Sequence, residues 1–210
     1  MLRMTIALVV LACVCGCTRE PPTTVPATPA TPETPAIPAA PATPEPPATP
    51  TPPAVERGHY TSLAEADCKL VQVDREAGGS RSLCPGLGDY TLAVLDGDAR
   101  MSIEVIAGEG PPQPLELWSV VSGAFSSLGD TAEWRLDDTG APQALIVRFN
   151  AHEDPDAPDR TTSYLVVARL DPAGGSCATA MIAPGAGQNQ QARQAADRAR
   201  GQACLQPRQW

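Results

Sequence analysis

Tyr90-Thr91-Leu92-Ala93-Val94-Leu95, then Asp96-Gly97-Asp98, then Met101-Ser102-Ile103-Glu104-Val105-Ile106 is the stretch that decides the fold class. Two apolar-rich runs flank an Asp-Gly pair, and a tight hairpin turn needs the positive φ angles that Asp and Gly tolerate. In the second run Met101, Ile103 and Val105 fall on one face and Ser102 and Glu104 on the other. The predicted sheet therefore turns one side to water.

Working outward, the same signals recur. Upstream, Cys68-Lys69-Leu70-Val71-Gln72-Val73 is β-prone and leads through Ala77-Gly78-Gly79-Ser80 to a short run ending at Leu83-Cys84-Pro85, which reads as another hairpin. Downstream, residues 132–136, 144–149 and 164–170 read as strands, with Asp138-Thr139-Gly140 as a turn and Cys177 to Ile182 as the last strand. Gly108 to Pro114 reads as a loop, while Leu115 to Val121 fits either a strand or a short helix. From Gln190 to Gly201 there is no Pro and no β-branched residue, and Ala192, Ala195, Ala196 and Ala199 recur at helical spacing. This predicts a C-terminal helix with a small apolar face, Arg193, Asp197 and Arg200 outward, Asn189 as its cap and Gly201 at its end. The fold expected is α+β: an antiparallel sheet built from hairpins, with one C-terminal helix packed on it.

Ahead of the folded part lie two segments of different character. Arg3 precedes an apolar run from Met4 to Val14, then Cys15-Gly16-Cys17. A positive start and a short hydrophobic stretch describe an export signal, and the run is too short to span a bilayer. Val14-Cys15-Gly16-Cys17 resembles the bacterial lipobox, which implies cleavage after residue 16 and acyl chains on Cys17; Cys13, preceded by Ala12, is the alternative. Two or three acyl chains anchor stably where one is marginal. If the cell is Gram-negative, Thr18 in place of an inner-membrane retention Asp points to the outer membrane, facing the periplasm.

Residues 21–54 are almost all Pro, Ala and Thr, and proline falls at every third position from Pro26 to Pro53. A segment of this composition cannot build a core. Polyproline II has three residues per turn, so the register lays one proline stripe along an extended rod. At ~3.1 Å per residue its full reach is on the order of 100 Å. The spacer carries no Arg or Lys between Arg19 and Arg57, so it reads as a stalk and not as a ligand for proline-reading domains.

The domain organisation expected is thus a signal over 1–16, a lipidated linker over 17–54 and one globular domain over 55–210. After processing, Cys68, Cys84, Cys177 and Cys204 remain in that domain. In an exported chain an even four read as two disulfides. Of the three connectivities, Cys68 with Cys84 and Cys177 with Cys204 fit the predicted elements best, the first closing the hairpin and the second tying the helix to the last strand.

The net charge of -9 argues against nucleic acid and anionic lipid headgroups and favours cationic proteins or peptides as partners. An envelope protein or a wall component is the partner class that follows from the location. Catalytic parts are few. His59 and His152 are the only histidines and lie in unlike contexts, and no nucleophile elbow, phosphate loop or dinucleotide fingerprint occurs. No catalytic residue, metal ligand or cofactor is called for. The competing enzyme class is an envelope hydrolase working through paired carboxylates. His152-Glu153-Asp154-Pro155-Asp156-Ala157-Pro158-Asp159 clusters acids, but two prolines and the missing Gly of a tight calcium loop make it read as a solvated turn. The aromatics are too sparse for a sugar-stacking platform. Trp134 beside Arg135 is the candidate binding face, set against the plainer reading of Trp134 inside and Arg135 outside.

Tyr60-Thr61-Ser62-Leu63, Cys68-Lys69, Cys84-Pro85-Gly86, Gly97-Asp98-Ala99-Arg100, Gly129 to Leu136 and the Cys177–Cys204 segment together resemble a group of secreted or anchored proteobacterial proteins of unknown function. That resemblance implies location and no activity. Cys84-Pro85-Gly86 followed by Tyr90 to Val94 is similar to membrane-bound inhibitors of C-type lysozyme, small anchored β-rich domains shorter than this one. The function expected is a lipid-anchored, non-catalytic binding domain held off the membrane, with inhibition of a cationic wall-degrading enzyme as the alternative.

Overall fold

The strands alternate between one-sided and two-sided burial, and that difference builds the molecule. A computed structural model describes residues 57–157 and 159–209; the signal, Cys13, Cys17 and the proline stalk lie outside the described residues. Among the described residues ten strands form two five-stranded antiparallel sheets. One has the order β1 (Gly58–Ser62), β7 (Ser126–Leu136), β8 (Pro142–Ala151), β9 (Thr162–Arg169) and β10 (Cys177–Ile182). The other runs β2 (Lys69–Asp74), β3 (Gly79–Cys84), β4 (Tyr90–Gly97), β5 (Arg100–Ala107) and β6 (Gln113–Pro114). We call them the long sheet and the hairpin sheet.

The inner faces meet across one core. Leu92, Val94, Ile103 and Val105 of the hairpin sheet pack with Trp134, Leu145, Val147, Phe149 and Val166 of the long sheet. Behind the long sheet lies a second cluster, where Ala144, Ile146, Leu165 and Val167 meet Ala192, Ala196 and Ala199. The small alanine face lets the C-terminal helix α2 (Gln188–Ala196) approach the sheet closely. Since β8 is covered on both sides, Ala144 to Val147 are all buried, and the run has no polar alternation to show.

The two disulfides are Cys68–Cys84 and Cys177–Cys204, so the α+β class, the C-terminal helix and both crosslinks are as the residues predict. Several local readings change. The expected single sheet is two. Leu115 to Val121 yields the one-turn helix α1 (Leu117–Val120). Asn189 does not cap α2: Gly187 stands at the N-cap with φ 74° and no side-chain cap bond is made. The helix ends at Ala196, and Gly201 closes a separate 3-10 turn from Ala199. The hairpin turn sits two residues later than Asp96-Gly97. Gly97 pairs with Arg100, and Asp98 and Ala99 take the positive φ values of 54° and 57°.

Candidate functional site

The pair singled out from sequence, Trp134 and Arg135, is not an exposed face. Strand alternation drives Trp134 into the core at 0% exposure. There its Nε1–H donates to Thr61 Oγ1 at 2.8 Å and its ring lies 5.9 Å from that of Tyr90. Arg135, on the opposite face, is taken up by the helix, donating to Asp197 Oδ1 at 2.9 and 3.0 Å. Its neighbours do the same: Arg193 donates to Glu133 at 2.7 Å and Arg200 pairs with Asp137 at 3.1 Å. Positions 133, 135 and 137 on the strand side thus match 193, 197 and 200 on the helix side. The Glu133 carboxylate raises the Arg193 pKa above its ordinary value. These charges fasten the helix and leave no free anchor.

The acidic segment is a solvent-facing turn with internal partners. Asp154 pairs with Arg160 and accepts the Asp156 N–H at 3.0 Å. Glu153 accepts the Tyr164 hydroxyl at 2.9 Å, and burial together with that carboxylate pushes the Tyr164 pKa up. Among the described residues no three of His, Cys, Asp and Glu are grouped to hold a metal. His59 lies on β1 opposite Trp134, and His152 follows β8, its N–H donating to Phe125 O at 2.8 Å.

Two concave regions flank the hairpin sheet. The outer groove, about 250 Å³, is lined by Arg81, Leu95, Arg100, Ser102, Glu116 and Trp118 among others. Asp96 borders it too, and several of its other polar groups already have partners. Arg81 pairs with Glu104 at 2.9 Å, and Trp118 Nε1–H donates to Glu116 Oε2 at 2.6 Å. Ser102 points outward yet is buried, because its Oγ accepts the Leu117 N–H at 3.1 Å as α1 folds over it. Arg100 lies 4.6 Å from the centre of the Phe125 ring.

The inner cleft opens between the sheets at their far end and holds about 380 Å³. Its apolar lining is Leu63, Leu70, Val73, Val94, Met101 and Leu128, with Ser80 and Ser82. Three acids line it, Glu65, Asp96 and Asp130, and no Lys or Arg does. Here the long sheet no longer covers β2, so Leu70 and Val73 stand 58% and 53% exposed. Asp96 follows Leu92 and Val94 at two-residue spacing on the core-facing side of β4. Its Oδ1 is buried without a hydrogen-bond partner among the described residues. Sequence reasoning missed this cleft. The available signal was Leu70-Val71-Gln72-Val73, whose three apolar residues in four do not alternate and so leave apolar side chains exposed on a strand with only one neighbour.

Comparisons with protein-family models, with curated proteins and with solved structures found no match to this chain.

Proposed function

We propose that this chain is a lipid-anchored protein of the cell envelope whose disulfide-bonded domain binds a partner, without catalysis, at the end of a stiff stalk. The observation that carries the reading is the uninterrupted proline register from Pro26 to Pro53, set between a Gly16-Cys17 junction and a folded domain. A proline register of this kind, in a segment unable to build a core, suits a spacer that holds its two ends apart. Acyl chains on Cys17 supply the fixed end. The domain supplies the working end, and its two crosslinks suit a compartment outside the reducing cytosol.

Mass spectrometry of the chain extracted from membranes tests this directly. The expected species starts at Cys17 and carries fatty acyl groups, and it needs detergent for release. A chain that retains Met1, or that leaves the cell fraction in plain buffer without acyl groups, overturns the anchor. Inhibition of a cationic wall-degrading enzyme is the second reading, favoured by the acids Glu65, Asp96 and Asp130 along the inner cleft. Opposite charge across an interface steers association and fixes partner choice more than it adds affinity. Retention of a basic envelope protein by the full chain at low salt, and its loss at high salt, is the result that reading expects.

A further inference from the structure

The inner cleft combines features that select a ligand. Its walls are aliphatic, its charged residues are all acids, and one of them, Asp96, which also borders the outer groove, has a buried Oδ1 with no partner among the described residues. A buried polar atom left unpaired is costly, so each such atom in a folded protein calls for a reason. Strand pairing places Asp96 between Ser80 on β3 and Met101 on β5, yet neither donates to its Oδ1. A donor carried by a ligand that enters past the aliphatic wall would supply the missing bond. A group with several N–H donors and a positive charge on an apolar stem has that shape.

We propose that this cleft receives a lysine or arginine side chain of a basic partner protein, its methylenes lying on Leu70, Val73, Val94 and Met101 and its charged head bonding to Asp96. The inference rests on the reading of the domain as a binding module and names the site and the chemistry of its ligand. Glu65 and Asp130 at the lining attract the cation on approach, and Asp96 holds it once water is displaced. The entry side is open because β2 is an edge strand, paired only with β3 among the described residues. A cation reaching Asp96 removes the unpaired oxygen and covers the exposed faces of Leu70 and Val73 in one step.

The probe is a fluorescent hexapeptide of alternating Lys and Leu, titrated by anisotropy against the full-length chain in detergent. Asp96→Asn is expected to weaken binding tenfold or more, since truncating one partner of a buried charge pair acts strongly on dissociation. Asp156→Asn, the same charge change on the acidic turn, is expected to alter it less than twofold. Equal weakening by both variants, or no binding to the unaltered chain, overturns the site. A peptide with Ser for Leu, and spermine as a free competitor, distinguish a protein side chain from a small polyamine: spermine displacing the probe at equal concentration overturns the protein source. Should Asp96→Asn melt early, Leu70→Ser decides instead, with at least fivefold weakening expected and no change overturning the wall assignment. Envelope capture separates the two levels. A protein retained equally by the unaltered chain and Asp96→Asn leaves the binding module standing and removes the cleft, whereas no retention and no peptide binding remove both.

Discussion

The long sheet is covered on both faces and the hairpin sheet on one, and the chemistry of the domain divides along that line. In the long sheet, β8 buries side chains toward both cores, and its free β10 edge is crossed by the C-terminal tail, where the Leu205 N–H donates to Ala178 O at 2.8 Å. Glu133 and Arg135 of β7 are spent on the helix side. In the hairpin sheet, by contrast, β2 has an open edge and exposed aliphatic residues, and both concave regions described above adjoin it. Stability is concentrated in one layer and accessible surface in the other. Binding sites commonly sit on segments positioned by a rigid scaffold, and the helix-backed sheet is the scaffold on which the proposed cleft would rest.

The contrast is broken most easily by a pair of truncations. Trp134→Ala removes a fully buried indole and the bond to Thr61, and is expected to cost about 3 to 5 kcal/mol. Leu70→Ala, at an exposed position, is expected to stay within about 0.5 kcal/mol. Urea unfolding of both variants measures the difference, and comparable losses would show that the hairpin sheet is as tightly determined as the long one.

A smaller effect is expected from the charges that hold the helix. Glu133 accepts from Arg193 and lies 3.5 Å from Arg135, with only 13% of its side chain exposed. Glu133→Gln leaves Arg193 without its carboxylate and Arg135 with Asp197 alone, and is expected to cost about 1 to 2 kcal/mol. Glu104→Gln breaks the single Arg81 pair of the hairpin sheet, for which up to about 1 kcal/mol is expected. Thermal melting in low and high salt ranks them; reversal of that order means the helix is held by its alanine face alone.

At the far end of the same zipper, Asp137 sharpens the comparison through pH. Its carboxyl is held down at about 2 by the Thr139 hydroxyl first, then by the Thr139 and Ala141 N–H groups, with Arg200 adding to them. An unfolded Asp titrates near about 3.9, so the folded state is favoured above that pH. The advantage is lost as pH falls through about 2. Asp137→Asn is therefore expected to flatten the acid limb of the stability curve between about pH 4 and 2. An unchanged limb would mean that the turn is equally well made with a neutral group.

How much of this was legible from residues follows from what each pattern encodes. Alternation in β5 marks one-sided burial, and the four cysteines mark their own pairing once two hairpin ends and a helix end are placed. Ala192, Ala196 and Ala199 at helical spacing identify the face that α2 buries. Sheet number was not legible, because Leu92 and Val147 carry the same strand signal whether they share a sheet or face each other across a core. Trp134 and Arg135 stood as a candidate surface pair beside the plainer reading of Trp134 inside and Arg135 outside, and the burial of Trp134 follows the plainer one. The inner cleft was hidden for a related reason: Asp96 sits in a turn-like sequence, and only the pairing of Gly97 with Arg100 moves it into β4 and points it with Leu92 and Val94.

That two-residue shift of the turn gives the smallest effect and the most exact test of register. Asp98 and Ala99 occupy the left-handed region at φ 54° and 57°, a conformation costly for a residue with a Cβ. Ala99→Gly removes that cost, set against the extra chain entropy of glycine, and is expected to stabilise by about 0.5 kcal/mol. Gly97 does not need its freedom: its φ is not positive, and an added Cβ meets nothing nearer than Arg100 O at 3.9 Å. Gly97→Ala is then expected to be neutral or to stabilise by about 0.4 to 1 kcal/mol, through the unfolded chain. If Asp96-Gly97 were the turn, the signs would be opposite, with Gly97→Ala destabilising and Ala99→Gly weakening a strand. Melting temperatures of the two variants therefore fix which way Asp96 faces, and with it whether the hairpin sheet has a carboxylate inside its open end.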